Sequence, residues 1–195
     1  MIHTGKWIDQ QQAELQQVTA QQVAISNKIL YLTLRYPSSR KLLLLEGSLQ
    51  GVFAFAGVHL HWSSEYTIDQ KQFPIEMHIV FYNPKYTSVE EAEFHENGLA
   101  VVGYFFTNNS SAKSGRYGSI QYMNLGKIIG TDMGEYFVYL GSLTTPPCYE
   151  TVTWIIRKKP LLISNMQLRH REDIHSYLKE PSITQIVYSN FYPCP

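Results

Sequence analysis

Apolar and polar residues alternate with period two along most of the chain, and long stretches with a 3.6-residue apolar period are few. Alternation sends successive side chains to opposite faces of a strand, so the pattern predicts a β-dominated fold. The longest apolar run, residues 52–62, reads V-F-A-F-A-G-V-H-L-H-W, and a second, residues 73–80, reads F-P-I-E-M-H-I-V. The polar stretch 63–72 between them is long enough to turn the chain back and lay the two runs side by side. Leu30, Leu32 and Leu34 alternate with Tyr31, Thr33 and Arg35, Pro37-Ser38-Ser39 breaks the pattern, and residues 41–45 begin another strand. Residues 99–106, 135–140 and 151–156 read the same way, the last burying Val152 and Trp154. Helical signals are short. An acidic helix is predicted over 89–96, and Ser164-Asn165-Met166-Gln167 resembles a capping box opening a helix to about residue 178. Residues 115–133 carry no readable element.

Composition adds little to this picture and excludes some partners. A chain of 195 residues with 44% apolar content fits one domain with a sizeable core. Fourteen tyrosines and nine phenylalanines reinforce the strand reading. Sixteen basic and sixteen acidic residues balance, which gives no electrostatic case for nucleic acid or an anionic membrane surface. No apolar run approaches the ~20 residues of a membrane-spanning helix. Residues 1–22 read differently, with seven glutamines between Gln10 and Gln22 and no basic start before an apolar core. That stretch is expected to be a short helix or mobile arm rather than a signal peptide, with the single domain running over 23–195.

The candidate chemistry lies on the two central strands. His59 and His61 are two residues apart and share a strand face; His78 shares its face with Glu76, Val80 and Tyr82, opposite Ile75, Met77, Ile79 and Phe81. A lone histidine on an apolar strand is usually a hydrogen-bonded core residue. Three on adjacent strands form a three-nitrogen site with one position open, the ligand set of a catalytic Zn2+. Glu76, two residues before His78 on its face, is placed to accept the other ring N–H of a metal-bound histidine. The spacing His59-x-His61-x-x-x-Glu65 also fits the cupin pattern, but the glycines around that pattern are missing.

His59-Leu60-His61-Trp62, then Ser64-Glu65-Tyr66-Thr67-Ile68-Asp69 and Glu76-Met77-His78-Ile79-Val80, resemble the zinc-site core of the α-class carbonic anhydrases. Tyr139-Leu140-Gly141-Ser142-Leu143-Thr144-Thr145-Pro146-Pro147 resembles that family's G-S-L-T-T-P-P loop, and Val152-Thr153-Trp154 its following strand. The resemblance runs from about residue 45 to 166. It implies a β-dominated α+β fold, with a large twisted, mostly antiparallel central sheet and a few short surface helices. It further implies zinc-dependent, reversible hydration of CO2 to bicarbonate and a proton, a hydroxide on the zinc serving as nucleophile. By the same resemblance His59, His61 and His78 hold the metal and Glu76 supports His78. Thr144 accepts from the hydroxide and passes its own proton toward Glu65. Val80, Val101, Leu143, Thr145, Val152 and Trp154 line the place of the apolar substrate.

Departures from the family pattern shape further expectations. No histidine stands between Ser26 and Tyr36, where the family carries a proton shuttle, so proton transfer is expected to be slow. Gly57 stands where the family places an amide that holds the first zinc histidine, and the crossing between Trp62 and Glu65 is shortened. Cys148 follows T-T-P-P as in secreted and membrane-anchored members, and Cys194 can pair with it only where their Cα atoms come within ~7 Å. With two overlapping N-x-S sequons from Asn108 to Ser111, this points to an extracellular branch, while the missing signal peptide keeps a cytoplasmic location open. The family's N-terminal segment and closing strand fall outside this chain, which predicts marginal stability and association through an exposed sheet edge. The competing reading is a catalytically weak or inactive carbonic anhydrase-related binding module.

Overall fold

The computed structural model describes residues 2–6, 19–26, 29–35, 43–44, 49–109, 132–165 and 168, with the backbone alone for the first three segments and for 132–133. Twelve strands and one short helix are described: β1 Ile2–Lys6, β2 Thr19–Ser26, β3 Ile29–Arg35, β4 Leu43–Leu44, β5 Phe53–Trp62, β6 Thr67–Ile68, β7 Lys71–Gln72, β8 Ile75–Tyr82, α1 Val89–Ala92, β9 Leu99–Asn108, β10 Asp132–Gly141, β11 Val152–Arg157 and β12 Leu161–Ile163. Ten of the strands form one sheet in the order β1-β10-β11-β9-β8-β5-β3-β2, with β4 on β5 and β12 on β9. The pairs of β9 with β11 and β12 are parallel and the remaining pairs antiparallel, so the sheet is mixed but mostly antiparallel.

Both faces of the central strands are covered, and alternation sorts their side chains into two layers. Met77, Ile79 and Phe81 of β8, Ala100, Val102 and Tyr104 of β9, and Ile155 of β11 share one core with Phe53, Val58 and Tyr136. Leu99, Val101 and Phe105 of β9 and Val152, Trp154 and Ile156 of β11 form the second core, against which Val80 and Tyr82 pack. Burial on both faces explains why β8, β9 and β11 read as nearly continuous apolar runs. His78 and Glu76 lie on the second face, as the alternation predicts, with the carboxylate and the imidazole among the few buried polar groups described.

Two local devices close the crossing between β5 and β8. Ser63 N–H donates to Pro74 O at 2.9 Å and Ser64 N–H to Phe73 O at 2.8 Å, continuing the ladder beyond the strands. The tip is the small hairpin β6–β7, turning through Asp69 at φ 50° and Gln70 at φ 62°. Two consecutive left-handed residues make a type I′ turn, whose twist matches that of the flanking strands.

Several expectations change. Residues 1–22, expected as a helix or arm, contribute β1, paired with β10 from Ile2↔Phe137, and the start of β2, paired with β3. A boundary at residue 23 falls inside β2. A sheet edge accepts any segment that can present its backbone, so local glutamine content carries no information about this docking. The segment 7–18 lies outside the described residues. The helix expected over 89–96 shrinks to α1, capped by the Ser88 side chain accepting from Glu91 N–H and stopped before Asn97, which sits at φ 56°. The expected link 157–160 leads directly into β12, parallel to β9. Of the helix expected from Ser164, one bond is described, Leu168 N–H to Ser164 O at 3.1 Å; the rest lies outside the described residues.

Candidate metal centre

The register of β5 on β8 places His59 opposite His78 and His61 opposite Glu76. Directly opposed residues of an antiparallel pair share a face, so all four side chains converge on one side of the sheet. The His61 and His78 rings lie 4.4 Å apart between centroids. His59 is close enough that the charges of His78 and His61 depress its pKa beyond the effect of its own burial. The three predicted histidines therefore share one face of the sheet.

The protonation of the three rings is set chiefly by desolvation, which disfavours the imidazolium. Burial first, then the charges of His78 and His61, hold His59 at about 3; burial and then His78, against an opposing Glu76 charge, hold His61 at about 3; and burial alone holds His78 at about 3, against an ordinary 6.5. All three rings are neutral at physiological pH, the state that ligates a metal.

Glu76 orients His78. Its Oε2 accepts the backbone N–H of Glu65 at 2.8 Å and of Tyr66 at 3.0 Å, and its Oε1 lies 2.6 Å from His78 Nε2. The two amides fix the carboxyl in place, and an ionised Glu76 accepting from His78 Nε2–H would leave Nδ1 with its lone pair for a metal. Burial pushes the Glu76 pKa up, while the amides of Tyr66 and Glu65 and the neighbouring His61 pull it back. This is the supporting contact expected from sequence.

His61 has Nδ1 3.4 Å from Glu65 Oε1, and its Nε2 is fully buried with no hydrogen-bond partner. Buried polar nitrogens are rarely left alone, and an orphaned one costs about 1–3 kcal/mol. A cation placed against Nε2 removes that penalty, so the donor set fits the zinc that the sequence implies. One ligand atom each from His61, Glu65 and His78 lies within 4.8 Å of the others. The tightest described donor group thus includes Glu65, with His59 beside it on the same face.

Thr144, on the loop after β10, forms a side-chain hydrogen bond with Glu65. Burial raises the Glu65 carboxyl to about 7, with that bond lowering it and the Glu76 charge adding to the rise; 29% of its side chain is exposed. The loop is fixed by Trp154 Nε1–H donating to Ser142 O at 2.9 Å, Leu143 N–H to Tyr149 O at 3.0 Å and Cys148 N–H to Thr145 O at 3.0 Å. Val80 and Leu143 pack against the cluster of Val101, Val152 and Trp154, so five of the six expected lining residues form one apolar wall. The sixth, Thr145, closes the loop turn through its carbonyl. Cys148 is disulfide-bonded; the other cysteine of the sequence, Cys194, lies outside the described residues. Among the described residues no helix is long and apolar enough to cross a membrane.

Two residues quoted in the sequence motifs without a role belong to the site. The ring of Tyr66 lies 6.4 Å from His78, 5.3 Å from Trp154 and 6.2 Å from Tyr139, and its hydroxyl shares a hydrogen bond with that of Tyr139. Position beside Glu65 was the one signal available for Tyr66. Its partner, far along the chain, had none.

Comparison with known proteins agrees with this arrangement. The family model of the eukaryotic-type carbonic anhydrases matches residues 2–194. Carbonic anhydrase 7 of Homo sapiens is 36% identical over 142 residues, covering 63% of this chain and 54% of that protein. Mitochondrial carbonic anhydrase 5B of Rattus norvegicus is 37% identical over 142 residues (63% and 45%), and that of Mus musculus 34% over 161 residues (67% and 48%). The chain spans about half the length of these curated relatives. With a curled mixed sheet, histidines converging from two of its central strands and a family match along nearly its whole length, the chain belongs to the eukaryotic-type carbonic anhydrase family.

Proposed function

We propose that the chain binds one Zn2+ through His59, His61 and His78 and reversibly hydrates CO2 to bicarbonate and a proton. The observation that carries this reading is the buried, partnerless Nε2 of His61 amid neutral imidazoles. A His61–Glu65–His78 set competes for the metal on distance alone. Glu65 is already engaged by Thr144, whereas His59 adds a third neutral nitrogen of the kind zinc takes in open catalytic sites. When bound, the ion supplies Lewis acidity that makes water a nucleophile near neutral pH, chemistry for which carbonic anhydrases are themselves the reference case.

The chain's own residues supply orientation. Thr144 Oγ1 donates to Glu65, which leaves the hydroxyl oxygen to accept from the attacking water. That direction turns the water's lone pair toward the wall of Val80, Val101, Leu143, Val152 and Trp154, which suits a small apolar molecule. A bond forms between the water oxygen and the carbon of CO2, one C=O π pair moves to oxygen, and the proton released passes to solvent buffer.

The test is CO2 hydration by the zinc-loaded and chelator-stripped chain. Hydration that vanishes with the metal and falls about 10²-fold in kcat/KM for Thr144→Val supports the proposal. A zinc-loaded chain with no hydration above background removes the catalytic reading and leaves the binding module.

A further inference from the structure

Glu65 and Thr144 reach the site from segments anchored to different strands of the sheet. Glu65 and Tyr66 are tied by their backbone N–H groups to Glu76 on β8. Thr144 follows β10, and in the sheet order β9 and β11 stand between β8 and β10. Their mutual hydrogen bond therefore depends on the span across four strands. The Glu76 bonds fix the β8 end, and Trp154 Nε1, donating to Ser142 O, fixes the loop to β11. Neither of these joins the Glu65 side directly to β10.

Tyr66 makes that connection. Its ring meets His78 of β8 at 6.4 Å, stands edge-on to Trp154 of β11 at 5.3 Å and to Tyr139 of β10 at 6.2 Å. Tyr139 is the register partner of Trp154, its ring stacked with the indole at an interplanar angle of 10°. Tyr139 is 38% exposed, yet its hydroxyl meets that of Tyr66, and five residues later the same chain presents Thr144. The hydroxyl pair adds to the ring packing a directional contact that phenylalanine cannot make.

We propose that the Tyr66–Tyr139 hydroxyl pair is a positioning device that sets the Glu65–Thr144 hydrogen bond across the sheet. The rings pack against His78 and Trp154, and the hydroxyl pair acts on the reaction through Glu65 and Thr144. Its kinetic consequence rests on the proposed CO2 hydration; its structural consequence does not. The bland alternative is that both rings only fill space, which phenylalanine does equally well.

The experiment uses the full chain with Tyr66→Phe, Tyr139→Phe, Thr144→Val, and the pairwise combinations with Tyr66→Phe. In metal-free protein, thermal unfolding of Tyr66→Phe, Thr144→Val and their double variant forms a cycle between side chains that share no hydrogen bond. The proposal expects the Tm loss of the double variant to fall short of the summed single losses by at least about 2 °C. In zinc-loaded protein, Tyr66→Phe and Tyr139→Phe are each expected to keep zinc content and lower kcat/KM about 3–10-fold, and the two together to do no more than one. Additive Tm losses overturn the proposal, as does a Tyr66→Phe chain with unchanged kcat/KM beside an active wild type. If the wild type itself shows no hydration, the metal-free cycle alone decides.

Discussion

At the scale of residues, the site is built from groups whose usual protonation is reversed by burial. In the metal-free chain His59, His61 and His78 titrate at about 3, while the unfolded chain binds their protons near 6.5. Between those values the unfolded state holds more protons, so stability falls as pH is lowered, by up to about 1.4 kcal/mol per pH unit for each histidine. Glu65 acts in the opposite sense: with its pKa raised from 4.5 to about 7, the folded state holds the extra proton in that window. Acidification is thus partly offset above about pH 4.5 and steepest below it. Urea unfolding of chelator-treated protein from pH 7 to 3.5 checks this; stability that is flat or rises toward acid contradicts the burial of the three rings. A second prediction concerns the proton that hydration releases. With no histidine from Ser26 to Tyr36, imidazole-type buffer is expected to raise kcat with little change in kcat/KM, because a well-placed general base is worth ~10²–10⁴-fold. Turnover independent of buffer would place a shuttle elsewhere in the chain.

At the scale of elements, strands written by alternation were legible and those written by distant pairing were not. The runs that became β5, β8, β9, β10 and β11 carry the faces expected of them, including the shared face of His59, His61 and His78, because both sheet faces there are buried. The contact of Glu76 with His78 was legible from their two-residue spacing. β2, although it pairs with the adjacent β3, was hidden by its glutamines, and β1 and β12 were not legible, since each is an element only by virtue of a partner strand remote in sequence. The Tyr66–Tyr139 pair escaped for the same reason. Two substitutions test the local geometry. Gln70 occupies the second left-handed position of a type I′ turn, where glycine is preferred, so Gln70→Gly is expected to stabilise by roughly 0.5–1 kcal/mol. At Gly98 an added Cβ would stand 1.8 Å from the backbone oxygen of Ala92, which cannot move without undoing α1. Gly98→Ala is expected to destabilise by about 2–4 kcal/mol in denaturant unfolding; a neutral result for either contradicts the geometry described.

At the scale of the whole molecule, the proposed metal site joins folding to function. The ring nitrogens come from two strands of one sheet, and the Glu65–Thr144 bond links segments anchored to β8 and to β10. An ion held only by the folded chain adds about 2.7 kcal/mol at a free concentration 100-fold above its dissociation constant, which for a chain of this size raises Tm by roughly 5–10 °C. A chelator-insensitive Tm would mean that no such ion is bound. The central claim, that three histidines and not Glu65 hold one zinc, is tested most directly by metal content after equilibrium dialysis. About one zinc per wild-type chain is expected, retained by Glu65→Gln and lost by His59→Ala and by His78→Ala. Stoichiometric zinc in His59→Ala together with loss in Glu65→Gln would contradict it and assign the metal to His61, Glu65 and His78.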